Sequence, residues 1–237
     1  MRKLLFLPLI ITVLQLMAGC TKQTHTGYLP MAVNDSAYKS YLALGDSYTI
    51  GESVAVQDRY PAQAVSILLN NDGVRFSTPE YIAVTGWTTG NLINSVNNAP
   101  PTRSTYDFVS LLIGVNNQYQ GRSQAEYSTE FNNLLNKAIG YAGSRPLRVA
   151  VLSIPDWSVT PFANGLDTAL IRRQIDSFNV INKQITLANG VHYINITPST
   201  RMALTDRSLL AGDGLHPSGK EYKKWATMLA AVIKSVL

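Results

Sequence analysis

The chain has 237 residues, which is enough for one large domain with a substantial hydrophobic core. Charged residues make up 15% of the sequence, well below the usual quarter, and the formal net charge is +5. This composition is typical of a globular protein with many neutral polar residues, and it excludes an intrinsically disordered chain. The basic balance is too modest to indicate a nucleic-acid partner.

The amino terminus has the pattern of an export signal. Arg2 and Lys3 precede an apolar stretch over residues 4–17, which is too short for a comfortable membrane span. Residues 16–20, Leu-Met-Ala-Gly-Cys, resemble a bacterial lipobox, although Met stands where Leu is commoner. In lipoproteins of that kind the cysteine becomes the mature amino terminus and carries acyl chains, which anchor the protein to a membrane. An ordinary signal peptide followed by a chance cysteine is the alternative.

The lipobox resemblance divides the chain into three parts. Residues 1–19 are expected to be a lipoprotein signal peptide, and residues 20–37 a lipidated Cys20 followed by a flexible tether. Residues 38–237 are expected to form a single domain. Because Cys20 is the only cysteine, the chain cannot form an intramolecular disulfide. We therefore expect a lipid-anchored protein of the bacterial cell envelope, at the outer membrane or facing the periplasm. The lipid anchor would bind it to the membrane.

Beyond residue 40, apolar segments alternate with amphipathic ones, which predicts strands alternating with helices. The predicted strands cover residues 41–44, 81–84, 108–113, 147–154 and 191–196. The predicted helices cover residues 60–70, 89–97, 123–142, 168–188 and 220–236. This alternation is typical of an α/β fold with a parallel sheet, here of five strands, covered by helices on both faces. Right-handed crossovers then place the carboxyl ends of all strands along one edge of the sheet.

Polar side chains and glycines gather at that predicted edge. Ser47 follows the first strand in a Gly-Asp-Ser turn, Gly86 follows the second strand, and Asn116 follows the third. A fourth polar segment, from Asp213 to His216, lies in the loop before the last helix. Because ligands of open α/β sheets bind at the carboxyl ends of the strands, these residues are expected to form one site.

The residue types at this edge suit nucleophilic catalysis. A serine hydroxyl such as that of Ser47 needs a base to take its proton, and histidine, with an ordinary pKa of about 6.5, suits that task at His216. Asp213 could accept the imidazole N–H and fix its tautomer. The amides of Ser47 and Gly86 and the side chain of Asn116 are available donors for a developing oxyanion. Taken singly, each residue also has a structural alternative as a cap or turn residue.

The four blocks resemble those of the SGNH (GDSL-type) hydrolases, a family named after a Ser, a Gly, an Asn and a His. The resemblance covers residue 40 to the end of the sequence. It implies a three-layer α/β/α flavodoxin-like sandwich, Ser47 as nucleophile, His216 as base and Asp213 as the group that orients the base. It also implies an oxyanion hole made by Ser47, Gly86 and Asn116, with no metal and no organic cofactor.

One position departs from the family pattern. Its third block usually reads Gly-x-Asn-Asp, whereas Asn117 occupies the last position here. The departure bears on hydrogen bonding behind the site more than on the reaction itself. Four aromatic residues are candidates for lining the substrate pocket, with core packing as the alternative: Trp87, Tyr119, Trp157 and Phe162.

The resemblance implies a serine esterase that hydrolyses carboxylic or thioesters of small molecules, lipids or glycans through an acyl-enzyme. We expect the protein to be a monomer. Residues 42–52 look most like the lysophospholipase and thioesterase members of the family. A carbohydrate O-acetylesterase and a non-catalytic ligand-binding lipoprotein of the same fold are the alternatives. A phosphate- or nucleotide-binding flavodoxin-like protein is a weaker one, because the sequence has neither a G-x-G-x-x-G nor a G-K-S/T loop.

Overall fold

The computed structural model describes residues 38–237. The predicted signal peptide, the lipidation of Cys20 and the tether lie outside the described residues. The strands are β1 Tyr41–Gly45, β2 Glu80–Ala83, β3 Phe108–Leu112, β4 Val149–Leu152 and β5 His192–Ile194. They form one parallel sheet in the order β2-β1-β3-β4-β5, so the predicted α/β fold with a five-stranded parallel sheet is confirmed.

The register of the sheet aligns the strand ends that carry the predicted site. Gly45, the last residue of β1, is paired with Ala83 of β2 and Leu112 of β3. All five residues of β1 and all five of β3 are buried, as expected for strands covered on both faces. The segments that follow these three strands therefore leave the sheet side by side at one edge.

The α-helices are α1 Ser47–Ile50, α2 Tyr60–Asp72, α3 Thr89–Asn98, α4 Val115–Tyr119, α5 Gln124–Tyr141, α6 Thr168–Ala188, α7 Thr197–Arg201 and α8 Gly219–Val236. Helix α2 packs against α8, whereas α5 packs against both α3 and α6. The direction of the crossovers places α3, α5 and α6 on one face of the sheet and α2 on the other. The predicted three-layer arrangement is thus present.

The five predicted helices are confirmed to within two residues at each end, but the last two strands are shorter than predicted. Strand β4 begins at Val149 rather than residue 147, because Pro146–Arg148 forms a 3₁₀ turn and proline lacks the amide that a strand ladder needs. At its other end the Ser153 hydroxyl accepts hydrogen bonds from the amides of Ile196 and Thr197. The amide of Ser153 still donates to the carbonyl of Ile194 at 3.0 Å, and beyond that bond the side-chain contacts take the place of the ladder.

A buried aromatic cluster fixes α8 on α2 and reaches the site. The ring of Tyr60 on α2 lies 6.1 Å from that of Trp225 and 6.3 Å from that of Tyr222, both on α8. The ring of Tyr48 lies 6.5 Å from Trp225 and 5.2 Å from His216. The packing of α8 therefore sets where the histidine stands. Among residues 38–237, no helix is long and apolar enough to cross a membrane.

Candidate active site

The turn from β1 into α1 presents Ser47. A Cβ atom on Gly45 would lie 2.1 Å from Thr49 Oγ1 and 2.3 Å from the carbonyl oxygen of Leu112, so only glycine fits where the strand ends. Asp46 caps the helix by accepting a hydrogen bond from the amide of Tyr48 at 3.0 Å. Burial raises the pKa of the Asp46 carboxyl to about 7. Ser47 is therefore the first residue of α1, and it is 4% exposed.

Ser47, His216 and Asp213 are joined by hydrogen bonds. His216 Nε2 lies 3.0 Å from Ser47 Oγ, and His216 Nδ1 lies 2.6 Å from Asp213 Oδ2. Burial opposes the ionisation of Asp213, but hydrogen bonds from His216, Leu215 and Ser53 outweigh it and lower its pKa to about 2. Asp213 is thus a carboxylate at neutral pH, with Nδ1–H of the imidazole as its donor. This leaves Nε2 as the acceptor for the serine proton.

Ser47, Gly86 and Asn116, the predicted oxyanion-hole residues, each carry a hydrogen-bond donor and lie around the same cavity. The amide of Ser47 is in the first turn of α1 and has no intrahelical acceptor. Gly86 has φ +83°, a left-handed conformation that favours glycine, and a Cβ there would meet no atom within 4 Å. Asn116 donates one Nδ2 hydrogen to the carbonyl of Trp87 at 3.0 Å and keeps a second for a ligand. Gln120 Nε2 donates to the carbonyl of Gly86 at 3.4 Å, which helps fix this turn.

These groups open onto one cavity of about 150 Å³. Ser47, Gly86, Asn116 and His216 line it, and Asp213 stands behind the histidine. The other lining residues are mostly apolar and include no Asp, Glu, Lys or Arg: Tyr48, Thr85, Val115, Tyr119, Trp157, Phe162 and Leu215. The structure therefore brings together all the predicted site residues that it describes. Of the four aromatic candidates, Trp87 packs against the core instead.

Trp157 is a fixed wall of the cavity. It is 4% exposed, and its Nε1–H donates to Gln118 Oε1 at 2.8 Å. Gln118 Nε2 in turn donates to Gln174 Oε1 at 2.8 Å, so α4 and α6 both hold the indole. The rings of Tyr119 and Phe162 lie 5.6 and 5.9 Å from that of Trp157. Sequence reasoning missed both glutamines, because glutamine on a helix carries no signal of a partner in a distant loop.

Asn117, the departure from the family pattern, is fully buried and does not line the cavity. Its Oδ1 accepts from the amide of Thr89 at 3.0 Å, and its Nδ2 donates to Thr89 Oγ1 at 2.6 Å. The Thr89 hydroxyl then donates to Glu130 Oε2 at 2.5 Å. Asn116 bonds to the carbonyl of Trp87, and its neighbour Asn117 bonds to Thr89. These two consecutive side chains of α4 therefore fix the segment that follows Gly86. The hydrogen bonding behind the site is complete with asparagine.

Sequence reasoning also missed Ser53, whose hydroxyl lies 2.7 Å from Asp213 Oδ2. The two residues are 160 positions apart, and no local pattern connects them. In the described part of the chain, no group of three or more His, Cys, Asp and Glu side chains is placed to hold a metal ion.

Comparisons with known structures identify the same fold. A lipase/acylhydrolase from Enterococcus faecalis has a TM-score of 0.65 at 17% identity, over 83% of this chain and 96% of that one. An acetylxylan esterase, Axe2, from Geobacillus stearothermophilus has a TM-score of 0.63 at 18% identity, over 82% and 94% of the two chains. LAE5, an alpha/beta hydrolase enzyme from the metagenome of Lake Arreo, Spain, has a TM-score of 0.62 at 16% identity, over 84% and 96%.

The sequence itself assigns the family. No curated protein matches the chain significantly. Residues 43–224, however, match the family model described as GDSL-like Lipase/Acylhydrolase. This span contains Ser47, Gly86, Asn116, Asp213 and His216, and the resemblance seen in the sequence blocks is confirmed. The chain belongs to the GDSL-like lipase/acylhydrolase family.

Proposed function

We propose that the protein is a serine hydrolase that cleaves carboxylic esters through an acyl-enzyme. The observation that carries the proposal is the pair of hydrogen bonds that connects Ser47 Oγ to His216 and His216 to Asp213, at 3.0 and 2.6 Å. A nucleophile within hydrogen-bond reach of a base, with that base oriented by a third group, is the arrangement that acyl transfer requires.

The reaction uses the described groups in sequence. Ser47 Oγ attacks the ester carbonyl while His216 Nε2 takes its proton, and the oxyanion receives hydrogen bonds from Ser47, Gly86 and Asn116. The tetrahedral adduct collapses, and the alcohol leaves with the proton from His216. Water then gives a proton to His216 and attacks the acyl group. The second adduct expels Ser47 Oγ, which regains its proton, and the carboxylic acid is released.

The cavity supports a small, uncharged acyl group. A cavity of about 150 Å³ lined by apolar side chains is large enough to hold benzene, so it accommodates roughly six carbon atoms. Its lining carries no Asp, Glu, Lys or Arg that would attract a charged acyl chain. We therefore place this protein among short-chain acylesterases. A long acyl chain, as in a lysophospholipid or a fatty acyl thioester, would have to extend out of the cavity.

A carbohydrate O-acetylesterase is the second candidate. Tyr119 and Phe162 are 56% and 48% exposed beside the cavity, and their rings lie 6.2 Å apart. Aromatic rings of this kind offer an apolar surface with fixed geometry on which a sugar ring could rest while its acetyl group enters the cavity. The acetylxylan esterase that shares the fold has the activity expected of this candidate.

Fluorophosphonate labelling tests the proposal. The purified full-length protein in detergent should be labelled, Ser47→Ala should not, and Ser177→Ala on α6 should be labelled like the wild type. Turnover of p-nitrophenyl acetate, butyrate, octanoate and palmitate, beside acetylated xylan and a lysophospholipid, then ranks the acyl groups. A folded wild-type protein that is not labelled would refute the serine mechanism and favour a ligand-binding lipoprotein.

We also propose that the enzyme works as a monomer at the bacterial cell envelope, anchored through Cys20. The support is the lipobox-like segment at residues 16–20. In the native bacterium the wild type should partition into the detergent phase of a Triton X-114 extract, and Cys20→Ala should move to the aqueous phase. Equal partitioning of both would contradict the anchor. Sedimentation of the Cys20→Ala protein should give the mass of one chain.

A further inference from the structure

We propose that Ser53 is a positioning residue of the catalytic apparatus, whose hydroxyl holds the Asp213 carboxylate in the orientation that aligns His216. The inference rests on the proposed function, because it assigns a task within the same reaction. Ser53 does not line the cavity, so it acts through Asp213 and His216 rather than on the substrate.

The hydrogen bonds of Asp213 show what Ser53 adds. Oδ1 accepts from the amides of Leu215 and His216 at 2.9 and 3.0 Å. Oδ2 accepts from His216 Nδ1 at 2.6 Å and from the Ser53 hydroxyl at 2.7 Å. Three of these four donors belong to the short segment that carries Asp213 itself. Ser53 supplies the fourth from the loop after α1, so its hydroxyl ties the acid to the element that carries the nucleophile.

The backbone conformation of Ser53 would suit glycine better, which indicates that the serine is present for its hydroxyl. Its φ is +64°, in the left-handed region that favours glycine. Among residues 38–237, Ser144 with φ +59° is the one other non-glycine residue with a positive φ. Strained conformations of this kind persist where the surroundings enforce them, and they cluster at functional sites. Glycine would relieve the strain but would lack the donor that Asp213 uses.

The same loop also reaches the oxyanion turn. Glu52, the neighbour of Ser53, accepts a hydrogen bond from Thr85 Oγ1 at 2.6 Å, and Thr85 directly precedes Gly86. The amide of Glu52 donates to the carbonyl of Ser47 at 3.0 Å. Two consecutive residues therefore connect the nucleophile helix to the acid on one side and to the oxyanion turn on the other. Removing the Ser53 hydroxyl releases only the connection to the acid.

The test compares two serines that share the left-handed conformation. Ser53→Gly should keep or raise the thermal unfolding midpoint, since it relieves strain, yet it should lower kcat about tenfold with little change in KM. Ser144→Gly, far from the site in sequence and outside the cavity lining, should also keep or raise the midpoint while kcat stays at the wild-type value. Ser53→Ala should lose as much kcat as Ser53→Gly and be less stable than it.

Each result is decisive. Wild-type kcat in Ser53→Gly would overturn the positioning role. A fall in kcat accompanied by an equal rise in KM and a lower thermal unfolding midpoint would overturn it too, because that combination indicates general structural damage. The proposed function fails separately, if Ser47→Ala retains wild-type turnover. A protein in which Ser47→Ala is inactive and Ser53→Gly is fully active would retain the proposed function and lose only the role of Ser53.

Discussion

The replacement Asn117→Asp, which restores the usual family residue, should destabilise this protein. Asn117 donates through Nδ2 to Thr89 Oγ1, and the Thr89 hydroxyl has one hydrogen, which it gives to Glu130. A carboxylate at position 117 would replace that donor by a second acceptor. Thr89 could then serve the new carboxylate or Glu130, but not both.

The magnitude follows from the distances. Asn117 Nδ2 and Glu130 Oε2 lie 2.6 and 2.5 Å from Thr89 Oγ1, so the two charges would be within about 5 Å of each other. At an effective dielectric constant of about 20, their repulsion is about 3 kcal/mol. An unsatisfied buried acceptor adds about 1–3 kcal/mol. We expect the free energy of unfolding at pH 8 to fall by about 4 kcal/mol, a large part of the 5–15 kcal/mol typical of a domain.

Urea unfolding of a double-mutant cycle measures this effect. Glu130→Gln alone should cost little, because the amide oxygen still accepts from Thr89. Asn117→Asp combined with Glu130→Gln should recover most of the loss, because Thr89 can then donate to the new carboxylate and accept from the glutamine amide. The folded state raises the pKa of the new carboxyl, so the deficit should be absent below about pH 3.9 and grow as the pH rises. Wild-type stability of Asn117→Asp at pH 8 would refute the reasoning, as would a loss that Glu130→Gln does not relieve.

Three further predictions concern the cavity and its supports. Burial raises the pKa of Asp46 to about 7, so the wild-type protein should lose stability as the pH rises from about 4 to 7. Asp46→Asn keeps a capping side chain, and its stability in urea unfolding should therefore rise relative to the wild type across that pH range. An equal effect of the substitution at pH 4 and pH 8 would contradict this. Asn116→Ala should lower kcat about 10²-fold through the lost oxyanion donor, and a loss confined to KM in steady-state kinetics would exclude that role. Trp157→Ala should raise kcat/KM for octanoyl relative to acetyl esters, and an unchanged ratio would show that the indole does not limit acyl length.

The fold could be predicted because its strong signals are local. The run over β3 is apolar except for Ser110, as expected for a strand buried on both faces, and the apolar stripes of α5 and α6 have helical spacing. The short helices α1, α4 and α7 have four or five residues each, too few to show a period. They were therefore missed, although Ser47 and Asn116 stand on two of them.

The candidate site could be predicted because the strands are parallel, and parallel strands bring the polar turns at their carboxyl ends to the same edge of the sheet. The contacts that orient the site could not, because they join positions far apart in the chain. Gln118 and Gln174 are held together by α4 and α6, and Ser53 meets Asp213 only through tertiary structure. The positive φ of Ser53 could not be predicted from the sequence either, because serine has no intrinsic preference for the left-handed region.

The arrangement of the strands has a consequence for how activity appears during folding. Ser47 and His216 are 169 positions apart, and His216 lies three residues before the start of α8, which packs on α2. Closing so long a loop is entropically costly, and contacts of this range are formed late in a folding reaction. Catalysis should therefore be the last property that a refolding chain regains, after the central strands have paired. Under the proposed mechanism, a nascent chain that stops short of residue 216 lacks the base and should be inactive however complete its sheet, so ester hydrolysis would report the completion of folding itself.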